Sequence, residues 1–160
     1  MKFRTSIMLL AAGCIFLSGC SAWRVFFPSR TYETTPPQLP VDLSSPAMLV
    51  FSKTNGWRHE EAIPAAHELF ARLGQERGLS VFATENGAVF NRQDLARFDV
   101  VVWNNTSGDT LNEEQKKAWQ DWLREGGGAI AIHGAGGDPS YDWDWHPQEF
   151  IRAQFIGHTM

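Results

Sequence analysis

Four short apolar runs separated by helical patterns predict an α/β domain built as a doubly wound parallel sheet, with the flavodoxin-like strand order 2-1-3-4. Three observations carry this reading. The runs alternate with amphipathic segments in the order strand, helix, strand, helix. The third and fourth runs are apolar at nearly every position, the mark of strands covered on both faces. The tight hairpin turns that an antiparallel meander needs are absent.

The first run covers residues 48–52. Pro64 suits the first turn of a helix that runs to about Arg77, where Gly78 stops it, and Ile63, Ala66, Phe70 and Leu73 share one face. Residues 80–84 form the second strand, and Asn91 caps a short helix over 92–97. The third strand is 99–103. Asn112 with Gln115 opens the next helix as a capping box, Trp119, Trp122 and Leu123 line its inner face, and Gly126 to Gly128 end it. The fourth strand is 129–133.

The chain before this domain reads differently. Lys2 and Arg4 precede an apolar run over 7–17, too short to span a bilayer and right for a secretory signal. Leu17-Ser18-Gly19-Cys20 then resembles the lipobox cut by bacterial signal peptidase before a lipidated cysteine. Residues 1–20 are therefore expected to be a lipoprotein signal peptide, with Cys20 lipidated and the membrane as a partner through that anchor. The domain then sits on the periplasmic or extracellular face, and Ser21 is of the kind that permits outer-membrane sorting. Residues 21–46, punctuated by Pro28, Pro36, Pro37, Pro40 and Pro46, read as an extended linker that resists packing. Within it, Trp23, Val25, Phe26 and Phe27 either meet the lipid surface or lack fixed structure. The domain proper is 47–160.

The two cysteines are Cys14 and Cys20, so no disulfide framework and no thiol nucleophile remain after processing. Without Lys2 and Arg4, 12 basic residues face 18 acidic ones, a net charge of −6 with no basic patch, which argues against nucleic acid. No G-x-G-x-x-G, Walker A loop or G-x-S-x-G elbow occurs, so a nucleotide or serine-hydrolase reading gains nothing.

Ligands of open parallel sheets bind beyond the carboxyl ends of the strands. There this sequence places Trp57, Arg58 and His59 after the first strand, Asn105, Thr106 and Asp109 after the third, and His133, Asp138 and the segment Asp142, Trp143, Trp145, His146 after the fourth, with His158 near the end. Neutral imidazoles serve as acid/base groups or metal ligands near pH 7. The spacing forms no local metal motif, so the cofactor is open, with a divalent metal among the options. Tryptophan faces beside amides and carboxylates suit sugar rings. Trp57 and Trp143 are candidates for that contact, while Trp103, Trp119 and Trp122 read as core and His67 as solvated or packed.

Gly56-Trp57-Arg58-His59, the Asn105-Thr106-Ser107-Gly108-Asp109 turn, Gly126-Gly127-Gly128 leading to His133, Asp142-Trp143 and the Phe155…His158 ending together resemble the ThuA-like family, named for trehalose utilisation. The resemblance implies a class I glutamine amidotransferase-like fold and a carbohydrate or carbohydrate-derived small molecule as partner. It implies His133, His59 and His158 as the catalytic candidates, with Arg58, Trp57, Asn105, Thr106, Asp109, Asp142 and Trp143 holding substrate. Two departures stand out. The turn Ile132-His133-Gly134 has no cysteine, which excludes thiol-based glutamine hydrolysis. Family members also usually continue past the last histidine, whereas His158-Thr159 here is followed by the final Met160, so the expectation is a domain incomplete at its C-terminus. Two functions fit: a sugar-metabolising enzyme with an acid/base or metal-assisted site, or a non-catalytic carbohydrate-binding or cell-envelope interaction lipoprotein.

Overall fold

Four five-residue strands, β1 (Ala47–Phe51), β2 (Ser80–Thr84), β3 (Val100–Asn104) and β4 (Gly128–Ile132), pair in parallel in the order β2-β1-β3-β4. The computed structural model describes residues 24, 26–135, 143–154 and 156. The expected signal region with Cys20, and Asp138, Asp142 and His158, lie outside the described residues.

Side-chain alternation along the strands splits the interior into two layers. Leu49, Phe51, Val101 and Trp103 face one way, into a core with Phe90, Leu95, Phe98, Leu111 and Trp119. Val50 and Val102 face the other way and meet Phe70, with Ala66 and Leu73 packed alongside. The second layer belongs to helix α1 (Ala62–Arg77), the first to α2 (Arg92–Leu95) and α3 (Glu113–Arg124). α1 and α3 thus cover opposite faces, the doubly wound arrangement expected.

The helix ends follow local chemistry. Pro64 sits in the first turn of α1, where no intrahelical N–H is needed, and Gly78 closes it in the left-handed region at φ 67°. Asn91 accepts from the Asp94 N–H at the start of α2. Asn112 and Gln115 complete a reciprocal capping box on α3, worth about 1 kcal/mol.

Two expectations need correction. β3 is enclosed on both faces, but β4 is not: it lies at the edge of the described sheet and Ile130 is 43% exposed. Its apolar run marks a strand without marking its cover. The proline-rich segment is extended, as read, yet it packs. Leu43 joins the larger core with Leu39 against it, and residues 29–33 are bonded along the carboxyl rim of the sheet. Among the described residues, no helix is long and apolar enough to cross a membrane.

His146, read as a loop residue, opens a single wide helical turn (His146–Ile151) and is fully buried. Its ring lies 4.5 Å from that of Trp103, 4.8 Å from Trp143 and 5.1 Å from Phe150, with Nε2 3.0 Å from the Ala135 carbonyl oxygen. Burial pushes its pKa down to about 4, against a small opposing pull from that carbonyl. Above the ordinary value of 6.5 both folded and unfolded chains are neutral here, and the full stability is present. As pH falls toward 4 the unfolded chain takes up a proton that the folded chain refuses, so stability drops by an amount on the order of 3 kcal/mol and then levels off. Denaturant unfolding of wild type and His146→Phe across this range tests it. The variant is expected to lose that part of the acid limb, and parallel curves contradict the assignment.

Candidate functional site

The loop after β1 and the turn after β3 continue the pairing of their strands. Thr54 bridges Ser107 in parallel register. The N–H groups of Asn55 and Gly56 donate to the Ser107 carbonyl at 2.8 and 3.2 Å, and the Ser107 hydroxyl donates to the Trp57 carbonyl. Gly108 makes the approach feasible. It is left-handed at φ 70°, and a Cβ there would lie 2.7 Å from the Gly56 nitrogen.

Segment 29–33 locks this junction from outside. The Ser29 N–H donates to the Asn55 carbonyl at 2.7 Å and its hydroxyl to Asn55 Oδ1 at 2.9 Å, while Asn55 Nδ2 donates to the Asp109 carbonyl at 2.5 Å. Tyr32 donates its phenol to Asp109 Oδ2 at 2.6 Å, and Lys116 Nζ stands 3.2 Å from Oδ1. Burial, then the Asp109 hydrogen bond, pushes the Tyr32 pKa up to about 12. Glu33 accepts from Lys53 Nζ at 2.6 Å and from the Gly87 N–H at 2.9 Å. Burial alone would raise the Glu33 pKa, but these bonds outweigh it and hold the carboxyl below its usual range.

The consequence for the expected substrate-binding residues is direct. Asp109 is 5% exposed and its partner Lys116 3%; Asn105 and Thr106 are also buried. Asp109 is held by Tyr32 and Lys116 and Asn105 by Asn104, and the side chains of Asp109, Asn105 and Thr106 are buried and do not line an open cleft. Trp143 is 8% exposed, stacked on Trp145 with rings 5.7 Å apart, and belongs to the core. Arg58 is committed to both carboxylate oxygens of Glu85, at 2.7 and 2.8 Å, and to Glu60, which raise its pKa. Trp57 remains 43% exposed.

The histidines behave differently. His59, carried by the β1 loop, and His133, just past β4, come together with their Nε2 atoms 3.1 Å apart. Their rings stand nearly edge to face, 4.5 Å between centroids at 77°. His133 is exposed and adopts φ 56°, a left-handed conformation that costs a non-glycine residue about 1–2 kcal/mol. Such strain persists only where the surroundings enforce it. Burial, and after it the charge of His133, hold His59 below the ordinary imidazole range. The pair can pass a proton between its nitrogens or present both as donors to one electrophile. Among the described residues, no three of His, Cys, Asp and Glu form a metal-sized cluster.

Sequence reasoning named Asn105 but passed over Ser52 and Asn104, which lie with it beneath the pair. Asn105 is left-handed at φ 52° and its N–H donates to the Ile132 carbonyl, next to His133. Its side chain donates to Asn104 Oδ1 at 2.7 Å, Asn104 donates to Ser52 Oγ at 3.0 Å, and Ser52 meets His67 Nε2 at 2.8 Å. Burial, ahead of its charged neighbours, lowers the His67 pKa, which suits a neutral ring accepting the Ser52 proton. The available signal was Ser52 and Asn104 themselves, polar residues ending two otherwise apolar runs. A separate groove of about 400 Å³, lined by Arg92, Asp99, Trp122 and Glu125, lies at the amino ends of β3 and β4, away from the histidines.

Residues 47–160 match the family described as ThuA, trehalose utilisation. The fold resembles a crystal structure described as a putative ThuA-like protein from Bacteroides uniformis ATCC 8492, at 18% identity and a TM-score of 0.52. The match covers 71% of this chain and 46% of that protein, so the chain spans less than half the length of this relative. No protein of curated function matches the chain. With most of its length inside the family's pattern, the chain belongs to the ThuA family.

Proposed function

We propose that this protein acts on a carbohydrate, with His59 and His133 as the reacting pair at the carboxyl rim of the sheet. The family's association with trehalose utilisation supports the substrate class. The observation that carries the site is the 3.1 Å approach of two Nε2 atoms whose residues are 74 positions apart. An imidazole pair suits work on sugar oxygens, because one nitrogen accepts a hydroxyl proton while the other donates to a carbonyl or leaving oxygen. Trp57, two residues before His59 and partly exposed, offers an aromatic face for the C–H face of a ring. Arg58 contributes by fixing the loop through Glu85, not by meeting the sugar.

The reading includes a lipid anchor at Cys20, supported by the positive start, short apolar run and small residues before that cysteine. Ser29, nine positions later, is bonded to Asn55 on the loop that carries His59, so the anchored rim stands within about 30 Å of the lipid surface.

Two experiments test these parts separately. A panel of disaccharides and oxidised sugars is expected to yield turnover with the full chain, with His133→Ala and His59→Ala each losing about 10²-fold or more. Saturable binding without product, unchanged by either substitution, would support a binding module instead. Cell fractionation is expected to find the wild type with membranes and Cys20→Ser in the soluble fraction; a variant that stays membrane-bound removes the lipid anchor.

A further inference from the structure

The geometry points to His59 and His133 as a two-imidazole seat for a divalent transition-metal ion, with its remaining coordination positions open to solvent and substrate. Two measurements of the pair carry this. Metal–imidazole bonds of about 2.0–2.1 Å put two nitrogens on one ion about 2.9 Å apart at a right angle and about 3.3 Å apart at the tetrahedral angle. The Nε2 atoms are 3.1 Å apart, between those limits. A straight N–H···N bond would set the rings end to end, with centroids more than about 5 Å apart. Here they are 4.5 Å apart at 77°, so the nitrogens approach at an angle and not end to end.

The setting agrees with that use. His133 is exposed and His59 half-buried, so an ion between them is reachable from solvent. His133 holds a strained φ, against the local preference of the chain, while its ring meets that of His59. Each ring is also anchored through its backbone: His59 by the Ser107 junction, His133 by the Asn105 N–H on Ile132. Imidazole nitrogen selects zinc, nickel, copper or iron over calcium and magnesium, which prefer oxygen. Catalytic ions keep positions free for water and substrate. Resting on the carbohydrate reading, but with both Nε2 atoms given to the ion in place of their acid/base use, the substrate class follows: a sugar presenting two adjacent oxygens, as a vicinal diol or a hydroxy-ketone, that close a chelate on the ion.

The test uses the full chain, labelled with 15N at histidine, stripped with a chelator and titrated with zinc while the imidazole nitrogens are followed by NMR. The expected result is that His59 and His133 shift together and saturate at one equivalent, while His67 and His146 stay in place. His133→Ala is expected to weaken the response of His59 at least about tenfold. No shift of either ring at millimolar zinc overturns the seat, as does an undiminished His59 response in the folded variant. Should the variant not fold, the wild-type stoichiometry and the pairing of the two shifts decide alone. Zinc binding with no sugar turned over or bound keeps the seat and removes the carbohydrate reading. Turnover by chelated protein that zinc leaves unshifted does the reverse.

Discussion

The rim of this molecule depends on one carbonyl. Ser107 O receives the N–H groups of Asn55 and Gly56, carrying the β1–β3 pairing beyond the strands into the loops. That junction joins the bonds of Lys53 to Glu33, Asn55 to Ser29 and Arg58 to Glu85 in fixing the loop that brings His59 beside His133. Gly108 is the steric condition for it, since any side chain there would collide with the Gly56 backbone. The buried Asp109–Lys116 pair, with the half-buried Tyr32 bonded to it, secures the turn from the other side. Buried ion pairs of this kind add little net stability, but removing one partner strands the other and typically costs about 3–5 kcal/mol.

The same junction decides where chemistry can occur. In doubly wound sheets the natural crevice lies where neighbouring connections leave in opposite directions, here between β1 and β3. That position is closed: residues 29–33, Asn55 and Asp109 fill it with bonds to one another. The two histidines meet nearer β4, where the strained His133 reaches back across the β3 end to His59. The segment that precedes the family-matching region is thereby part of the structural support of the rim.

The sheet order, the helix ends and most of the core were legible in the sequence because they rest on local signals. Apolar runs, Asn112 with Gln115, Asn91 and Gly78 each act within a few residues. The meeting of His59 and His133 was legible only through the topological rule that strand ends converge. What stayed hidden is long-range and polar. Ser29, Tyr32 and Glu33 look like solvated linker residues until Asn55, Asp109 and Lys53 are placed opposite them. Asp109 and Arg58 look like free ligand-binding charges for the same reason. Trp143 and His146 were hidden for a different reason: lacking helical or strand periodicity they read as loop, yet Trp143 packs on His146 and His146 on Trp103. The apolar run of β4 could not reveal that one of its sides lies open among the described residues.

The central claim is that the two imidazoles face each other across the rim. It is tested most directly by the pKa of His59, measured by NMR in the chelated protein with and without His133. The account predicts that wild-type His59 titrates below the ordinary imidazole range and that its pKa rises in His133→Ala, as the competing charge is lost and solvent enters. An identical titration in the two proteins would mean the rings do not meet, and the site described here would have to be abandoned.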